Sequence, residues 1–272
     1  MATRHVLIAL ASAAVIACAA GCGTGSTPNQ SASNIASPTT SAHGPAGYGP
    51  QSVLPFTDLN GPHDVAVDNV GNVYATDMHI GNEFPADTDR VLMLAAGSNT
   101  QTVLRYTGFE GEPLGVDSAG NMYCIRGGGV VAGGGCCKPV EVLKLAAGSS
   151  TSSVLPFTGD VFSDVVVDNA GSVYVVESTN RVLKLAPGAS APTPLPFPDL
   201  KNAAGLAVDS AGNVNVTDFE RNRVLKLAAG ASGPTVLPFS GLNHPAGVAV
   251  DAAGSVYVAD SGNRRVVKLP TQ

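Results

Sequence analysis

The chain has 272 residues, 44% of them hydrophobic and only 13% charged, with 32 glycines, 19 prolines, no tryptophan and a formal net charge of −6. That is enough apolar material for a sizeable core. The abundance of Gly and Pro excludes a helical bundle and favours many short strands joined by tight turns. The charge is thinly spread and forms no basic stripe, which excludes nucleic acid as a partner.

The first element reads as a targeting segment. Arg4 and His5 precede the apolar run Val6 to Ala17, and small residues follow up to Gly21. A charged start, a dozen apolar residues and a small-residue cleavage region describe a signal peptide, assigned here to residues 1–21. The run is short for a spanning helix, which takes about 20 residues. AAGC at 19–22 resembles the lipobox of bacterial lipoproteins, with Cys22 as the lipid acceptor and Cys18, in VIAC, as the alternative. The expected location is extracytoplasmic, on the membrane through a lipid anchor, or secreted if the chain is not lipidated. Residues 22–50 are rich in Ser, Thr, Pro, Gly and Ala and carry no charge. Such a segment cannot bury enough surface to offset its ordering entropy, so it reads as a tether.

Residues 51–272 are repetitive. VLPF at 53–56 recurs as VLRY, VLPF, PLPF and VLPF; HDVAVD at 63–68 recurs as PLGVD, SDVVVD, AGLAVD and AGVAVD. GNVYATD at 71–77 and RVLMLAAG at 90–97 likewise each have four further copies, the last being RVVKLP. The Asp that ends the second element falls at 68, 117, 168, 209 and 251. A period of about 40 to 50 residues with four strands per unit is the signature of propeller blades. Five copies of each element predict an all-β, five-bladed β-propeller.

After each of those aspartates the chain reads DNVGN, DSAGN, DNAGS, DSAGN or DAAGS. An Asp that accepts backbone N–H bonds and a Gly that takes positive φ make a turn. The spread aspartates are therefore structural, and no metal site is expected from them, since calcium needs converging oxygens. VYV-type strands suit burial on both faces. In RVLKL the Arg and Lys stems are expected to lie over apolar neighbours with their charges in water. The chain ends one strand short of a full blade while an unpaired VLPF stands at its start. Pairing Val53–Phe56 with Arg265–Leu269 would complete the last blade and remove an exposed edge.

The wording GLAVD…GNVYV…NRVLKLAAG…TVLPF resembles NHL repeats over residues 53–272, and is similar to the extracellular sensor propeller of the mycobacterial serine/threonine kinase D. This resemblance implies a propeller that senses an external ligand or partner. The chain has no glycine-rich nucleotide loop, HRD or DFG element, and Asp218-Phe219 is followed by Glu220.

Two insertions interrupt the repeat, at 78–89 and at 126–139, in the same position of consecutive blades. They are expected to rise together as a binding rim carrying His79, Glu83, Asp87, Asp89, Arg126 and Lys138. The second lacks the arrangement of a phosphate loop. Cys124 is expected to pair with Cys136 or Cys137 in an oxidising compartment. Two histidines, His63 in HDVAVD and His244 in HPAGVAVD, precede inner strands and are expected at one channel mouth, with Asp64 and Asp164 nearby. The leading expectation is a non-catalytic envelope module that binds an unknown protein or small molecule without a cofactor. The alternative is a lyase- or hydrolase-like propeller enzyme that uses His63 and His244 for acid–base chemistry.

Overall fold

Every repeat folds around its aspartate. In the computed structural model, which describes residues 47–77, 90–104, 113–117, 119–126, 140–147, 149–159 and 162–272, Asp68 Oδ1 accepts the backbone N–H groups of Val70 (3.1 Å) and Asn72 (2.8 Å). Asp117, Asp168, Asp209 and Asp251 make the same pair of bonds. The glycine that completes each turn is left-handed, with φ of 88° at Gly71 and 86° at Gly254, a conformation that Gly adopts without a Cβ penalty.

These turns join the inner two strands of each blade. Strand β1 (Ser52–Val53) stands alone at the start. The first blade is β2 (Pro62–Val67), β3 (Val73–Asp77), β4 (Arg90–Leu94) and β5 (Gln101–Leu104). The second is β6 (Pro113–Val116), β7 (Met122–Arg126), β8 (Glu141–Leu145) and β9 (Ser152–Val154). The third is β10 (Phe162–Val167), β11 (Val173–Glu177), β12 (Arg181–Leu185) and β13 (Thr193–Pro194). The fourth is β14 (Ala203–Val208), β15 (Val214–Asp218), β16 (Arg223–Leu227) and β17 (Thr235–Val236). The fifth is β18 (Pro245–Val250), β19 (Val256–Asp260) and β20 (Arg265–Leu269), completed by β1. All pairings are antiparallel, and the fold is an NHL-like five-bladed β-propeller.

The ring closes as the repeat order predicts. Ser52 lies opposite Lys268 and Val53 opposite Val267, and Leu54 N–H donates to Val266 O at 2.9 Å. The pairing extends beyond the expected strand. Gly49 N–H donates to Pro270 O, Gln272 N–H donates to Gly47 O, and Tyr48 bridges Thr271. Residues 47–50, assigned above to the tether, thus belong to the closure, because Tyr48 finds apolar surface between blades four and five.

Second strands meet neighbours on both faces: β3, β11, β15 and β19 are buried at every residue. The core is a ring of seams between adjacent blades. One seam packs Val65, Ala75 and Leu92 of the first blade against Tyr257, Ala259 and Val266 of the fifth.

The Arg of RVLKL has a different role from the one expected. Arg265 Nε bonds Asp260 Oδ2 at 2.7 Å, and Arg223 Nε bonds Asp218 Oδ2 at 2.8 Å, with both carboxylate side chains wholly buried. Arg181 does the same for Glu177. A buried carboxylate needs a counter-charge, so the arginine heads point inward to the acids that end the second strands. The other oxygen of each Asp pins the loop leading into its inner strand. Asp77 Oδ1 accepts from Asn60 and Gly61, Asp218 Oδ1 from Lys201, and Asp260 Oδ1 from Asn243. Lysines cover tyrosine rings, as Lys268 does Tyr257 at 4.8 Å and Lys184 does Tyr174 at 4.9 Å.

Candidate functional site at the channel mouth

The pinned loops deliver the inner strands to the central channel, and each inner strand carries a β-bulge where it enters. The register shifts between Pro62 and Asp64, Pro113 and Gly115, Phe162 and Asp164, Ala203 and Leu206, and Pro245 and Val248. A bulge leaves a residue unpaired and re-aims its side chain. The residues so displaced, with their neighbours, line one opening: His63, Asp64, Ser163, Asp164, Ala204, Gly205, Ala246 and Gly247. Threonines of the second strands hold the bulges. Thr76 Oγ1 accepts Asp64 N–H at 2.9 Å, and Thr217 Oγ1 accepts Gly205 N–H at 2.7 Å while donating to Ala246 O at 2.6 Å.

Asp164 is fixed across two blades. Its Oδ1 accepts Val165 N–H at 2.8 Å and its Oδ2 accepts Leu206 N–H at 2.9 Å. Asp64 Oδ1 accepts Val65 N–H at 2.8 Å. The Asp64 carboxylate lies against Gly247, where a Cβ would collide with Asp64 Oδ1 and its backbone. Gly205 meets the backbone of Ala246 and Gly247 equally closely. Gly247 of blade five therefore makes room for the Asp64 carboxylate of blade one, and Gly205 of blade four lets the backbone of blade five approach.

Below the opening the same strands enclose a channel cavity of ≈ 220 Å³. Its wall combines aliphatic residues with the backbone edges of the inner strands, which end each sheet, and among the described residues Asp64 and Asp164 at the mouth are its charged lining groups. Among the described residues no group of three or more His, Cys, Asp or Glu side chains is arranged to hold a metal ion.

The two histidines part company. Pro62 opposes Asp77 and Pro245 opposes Asp260, so His63 corresponds to Ala246, and His244 lies one residue before the strand. His63 lines the mouth. His244 is exposed and left-handed (φ 51°), lies against Phe219 with the rings tilted at 44° and their centroids 4.7 Å apart, and donates its backbone N–H to Asn222 Oδ1. Ser163, displaced by the third blade's bulge, joins the site; counting back five residues from the turn aspartate, which leads from Asp68 to His63 and from Asp168 to Ser163, would have found it.

The rim candidates His79, Glu83, Asp87, Asp89 and Lys138 lie outside the described residues, as do Cys18, Cys22, Cys136 and Cys137. Cys124 is half-buried on β7. The backbone of Arg126 ends β7 opposite Glu141, which reverses the acid–arginine order of the other blades. The strand ends from which segments 78–89 and 127–139 depart lie on the mouth face, beside Pro62 and Pro113.

Away from the mouth, burial and then the adjacent aspartate push the Tyr123 and Tyr257 hydroxyls well above the ordinary tyrosine range. Tyr74 and Tyr174 are raised for the same leading reason. Burial also pushes the Asp117 carboxyl up. Hydrogen bonds from Asn121, Tyr123 and Ala119 outweigh it and hold the group below the usual carboxylate range.

The NHL repeat profile matches residues 200–227 and 242–269. Comparison with curated protein sequences returns no match. Solved structures share the fold at low identity. A structural genomics protein of unknown function from Bacteroides thetaiotaomicron superposes with a TM-score of 0.57 at 13% identity, over 82% of this chain and 72% of its own. A gluconolactonase from Xanthomonas campestris gives 0.52 at 14% identity, over 80% and 89%. Virginiamycin B lyase from Staphylococcus aureus, in a catalytically inactive form with quinupristin, gives 0.51 at 10% identity, over 81% and 99%.

These neighbours correct the expectation of a non-catalytic sensor and of a chain that is not an enzyme. Propellers of this fold include a lactonase and a lyase, so the fold gives no ground for binding without catalysis.

Proposed function

We propose that the chain is a hydrolase that opens small lactones by general acid–base catalysis at the channel mouth. One observation carries this reading: the inner-strand bulges of blades one and three bring His63, Asp64, Ser163 and Asp164 to a single opening on a rigid ring. The lactone is suggested by the gluconolactonase that shares the fold. His63 is the general base. It takes a proton from water as the water oxygen attacks the lactone carbonyl, and returns it to the ring oxygen as the C–O bond breaks. The product is a hydroxy acid, and no other reactant is needed. Asp64 and Asp164 stabilise the imidazolium formed in between, and the Ser163 hydroxyl orients the water or the carbonyl.

The test is hydrolysis of a lactone panel headed by gluconolactone, followed by pH-stat titration. His63→Ala should lower turnover by about 10²–10⁴ with the fold intact. His244→Ala should leave it unchanged. An inert wild-type protein, or a His63→Ala variant at full rate, would overturn the assignment.

The same proposal places the enzyme outside the cytoplasm on a lipidated Cys22, with Cys18 as the alternative acceptor. AAGC and the uncharged stretch after it support this. Cys22→Ala should release the protein from membranes or block its processing; fractionation and mobility like wild type would remove Cys22 as the acceptor.

A further inference from the structure

Resting on that reading of the mouth, we propose that Arg264 on its rim binds an anionic substituent of the substrate, so that the lactone opened at His63 carries a carboxylate. Arg264 closes the short turn Ser261–Asn263 that follows β19, and the end of β19 lies beside Pro245 on the mouth face. It is exposed, with φ 53° and ψ 44°. The corresponding turns end in Asn180 in blade three and Asn222 in blade four, also left-handed, with φ of 62° and 52°. Asn visits that conformation readily, whereas a residue with a long side chain is strained in it.

The two asparagines have a structural role. Asn180 Oδ1 accepts the N–H of Ala203, and Asn222 Oδ1 accepts the N–H of His244, each at the entry of the next blade. Blade one offers no such donor, because Pro62 has no N–H and Gly61 gives its own to Asp77. The contact runs instead through Ser261, whose hydroxyl donates to Pro62 O, the carbonyl just before His63. Arg264 is thus released from capping, while the shared backbone conformation still aims it at the entry of the strand that carries His63. Among the described lysine and arginine side chains, that of Arg264 alone makes no hydrogen bond, ion pair or ring contact. A strained, unpaired cation contributes nothing to the fold, and such strain is kept where function uses it. Charge supplies orientation. Asp64 and Asp164 repel an anion from the channel axis, while a guanidinium pairs with a carboxylate through two parallel hydrogen bonds. The charged end therefore stays at the corner between blades five and one, and the ring turns inward to place its carbonyl at His63.

The experiment uses the full chain of the protein and matched pairs of compounds bearing a carboxylate or the corresponding carboxamide on linkers of increasing length. Binding of 3-substituted cyclopentanones, which cannot be hydrolysed, is measured by calorimetry, and hydrolysis of 5-substituted γ-lactones by pH-stat. At the best linker length the carboxylate should bind about fivefold tighter than the carboxamide, a preference that shrinks with added salt. Arg264→Asn should abolish the preference, leave the carboxamide affinity in place, and hold or raise the melting temperature, since Asn suits the turn. Equal affinity within every pair, a preference that survives Arg264→Asn, or a lower melting temperature of the variant would overturn the anion site even if neutral lactones are hydrolysed. An Arg264-dependent preference without any lactone turnover would instead sustain the anion site and defeat the proposed reaction.

Discussion

Asn215 provides the sharpest test of how the blades are held together. It occupies the position filled by Tyr74, Tyr123, Tyr174 and Tyr257 in the other blades. Those hydroxyls donate to the turn aspartates at 2.9 to 3.2 Å. Asn215 is fully buried, and neither amide atom has a partner. The ring it lacks is replaced from outside the blade: Tyr48 lies over Lys226 at 5.5 Å, and Lys226 Nζ reaches the Tyr48 hydroxyl at 3.0 Å. A buried polar group left unpaired costs about 1–3 kcal/mol. Asn215→Val removes that cost at similar volume in a strand that favours β-branching, so stability should rise by about 1–3 kcal/mol. For a domain of this size the melting temperature should climb by about 2–4 °C per kcal/mol. The assay is urea denaturation, with a higher midpoint at unchanged slope, alongside calorimetry. A double-mutant cycle extends it. Tyr48→Ala should destabilise the wild type and do little in an Asn215→Tyr background, where the blade supplies its own ring. Equal or lower stability of Asn215→Val would refute the reasoning, since it would mean that the amide is bonded in solution, to a trapped water for example.

Deleting residues 47–54 removes β1 and Tyr48, exposes the edge of β20, and should cost at least about 3 kcal/mol and promote association, whereas deleting 23–45 should do neither; equal melting and equal monomer content by sedimentation would refute closure. Because burial raises the native hydroxyl pKa values of Tyr74, Tyr123, Tyr174 and Tyr257, their contribution to stability is full below the ordinary value of about 10 and fades as pH rises through the raised values. Spectrophotometric titration should therefore show these tyrosines ionising together with unfolding; separate ionisation near the ordinary value in an intact fold would contradict it. Asp117, held low, has the opposite sign: its contribution is present above about pH 3.9 and fades as pH falls, so Asp117→Asn should flatten the acid limb of a stability profile.

Much of the architecture was legible because it rests on local rules repeated five times. Asp68 and Gly71 announce their turn by residue type alone, and the spare VLPF at the start announces closure by counting. Interactions that depend on depth were not legible. Arg223 and Arg265 look like surface arginines in RVLKL and RVVKL; only the register that sets them opposite Asp218 and Asp260 reveals buried ion pairs. Tyr48 sits in a segment whose composition reads as tether, and its place is set by a deficiency 167 residues away, at Asn215.

The mouth was half legible for a related reason. HDVAVD and HPAGVAVD invite alignment on histidine, but the bulge sets the register from the proline, and one residue decides whether a side chain faces the channel. Once the register is right, the ring's asymmetry becomes informative. Blades one and three place His63–Asp64 and Ser163–Asp164 at the bulge, while blades four and five place Ala204–Gly205 and Ala246–Gly247 there. Five-fold packing by itself would be satisfied by the small residues throughout, since they cost no desolvation. Carboxylates at two positions work against stability unless they are hydrogen-bonded, as Asp164 is from two blades. Beside Asp64 the neighbour must then be glycine, because a Cβ at Gly247 would collide with it. The charge of Asp64 in blade one and the missing side chain of Gly247 in blade five are thus one arrangement. A local departure from the packing rule, compensated by adjacent residues, is where a functional site is to be expected.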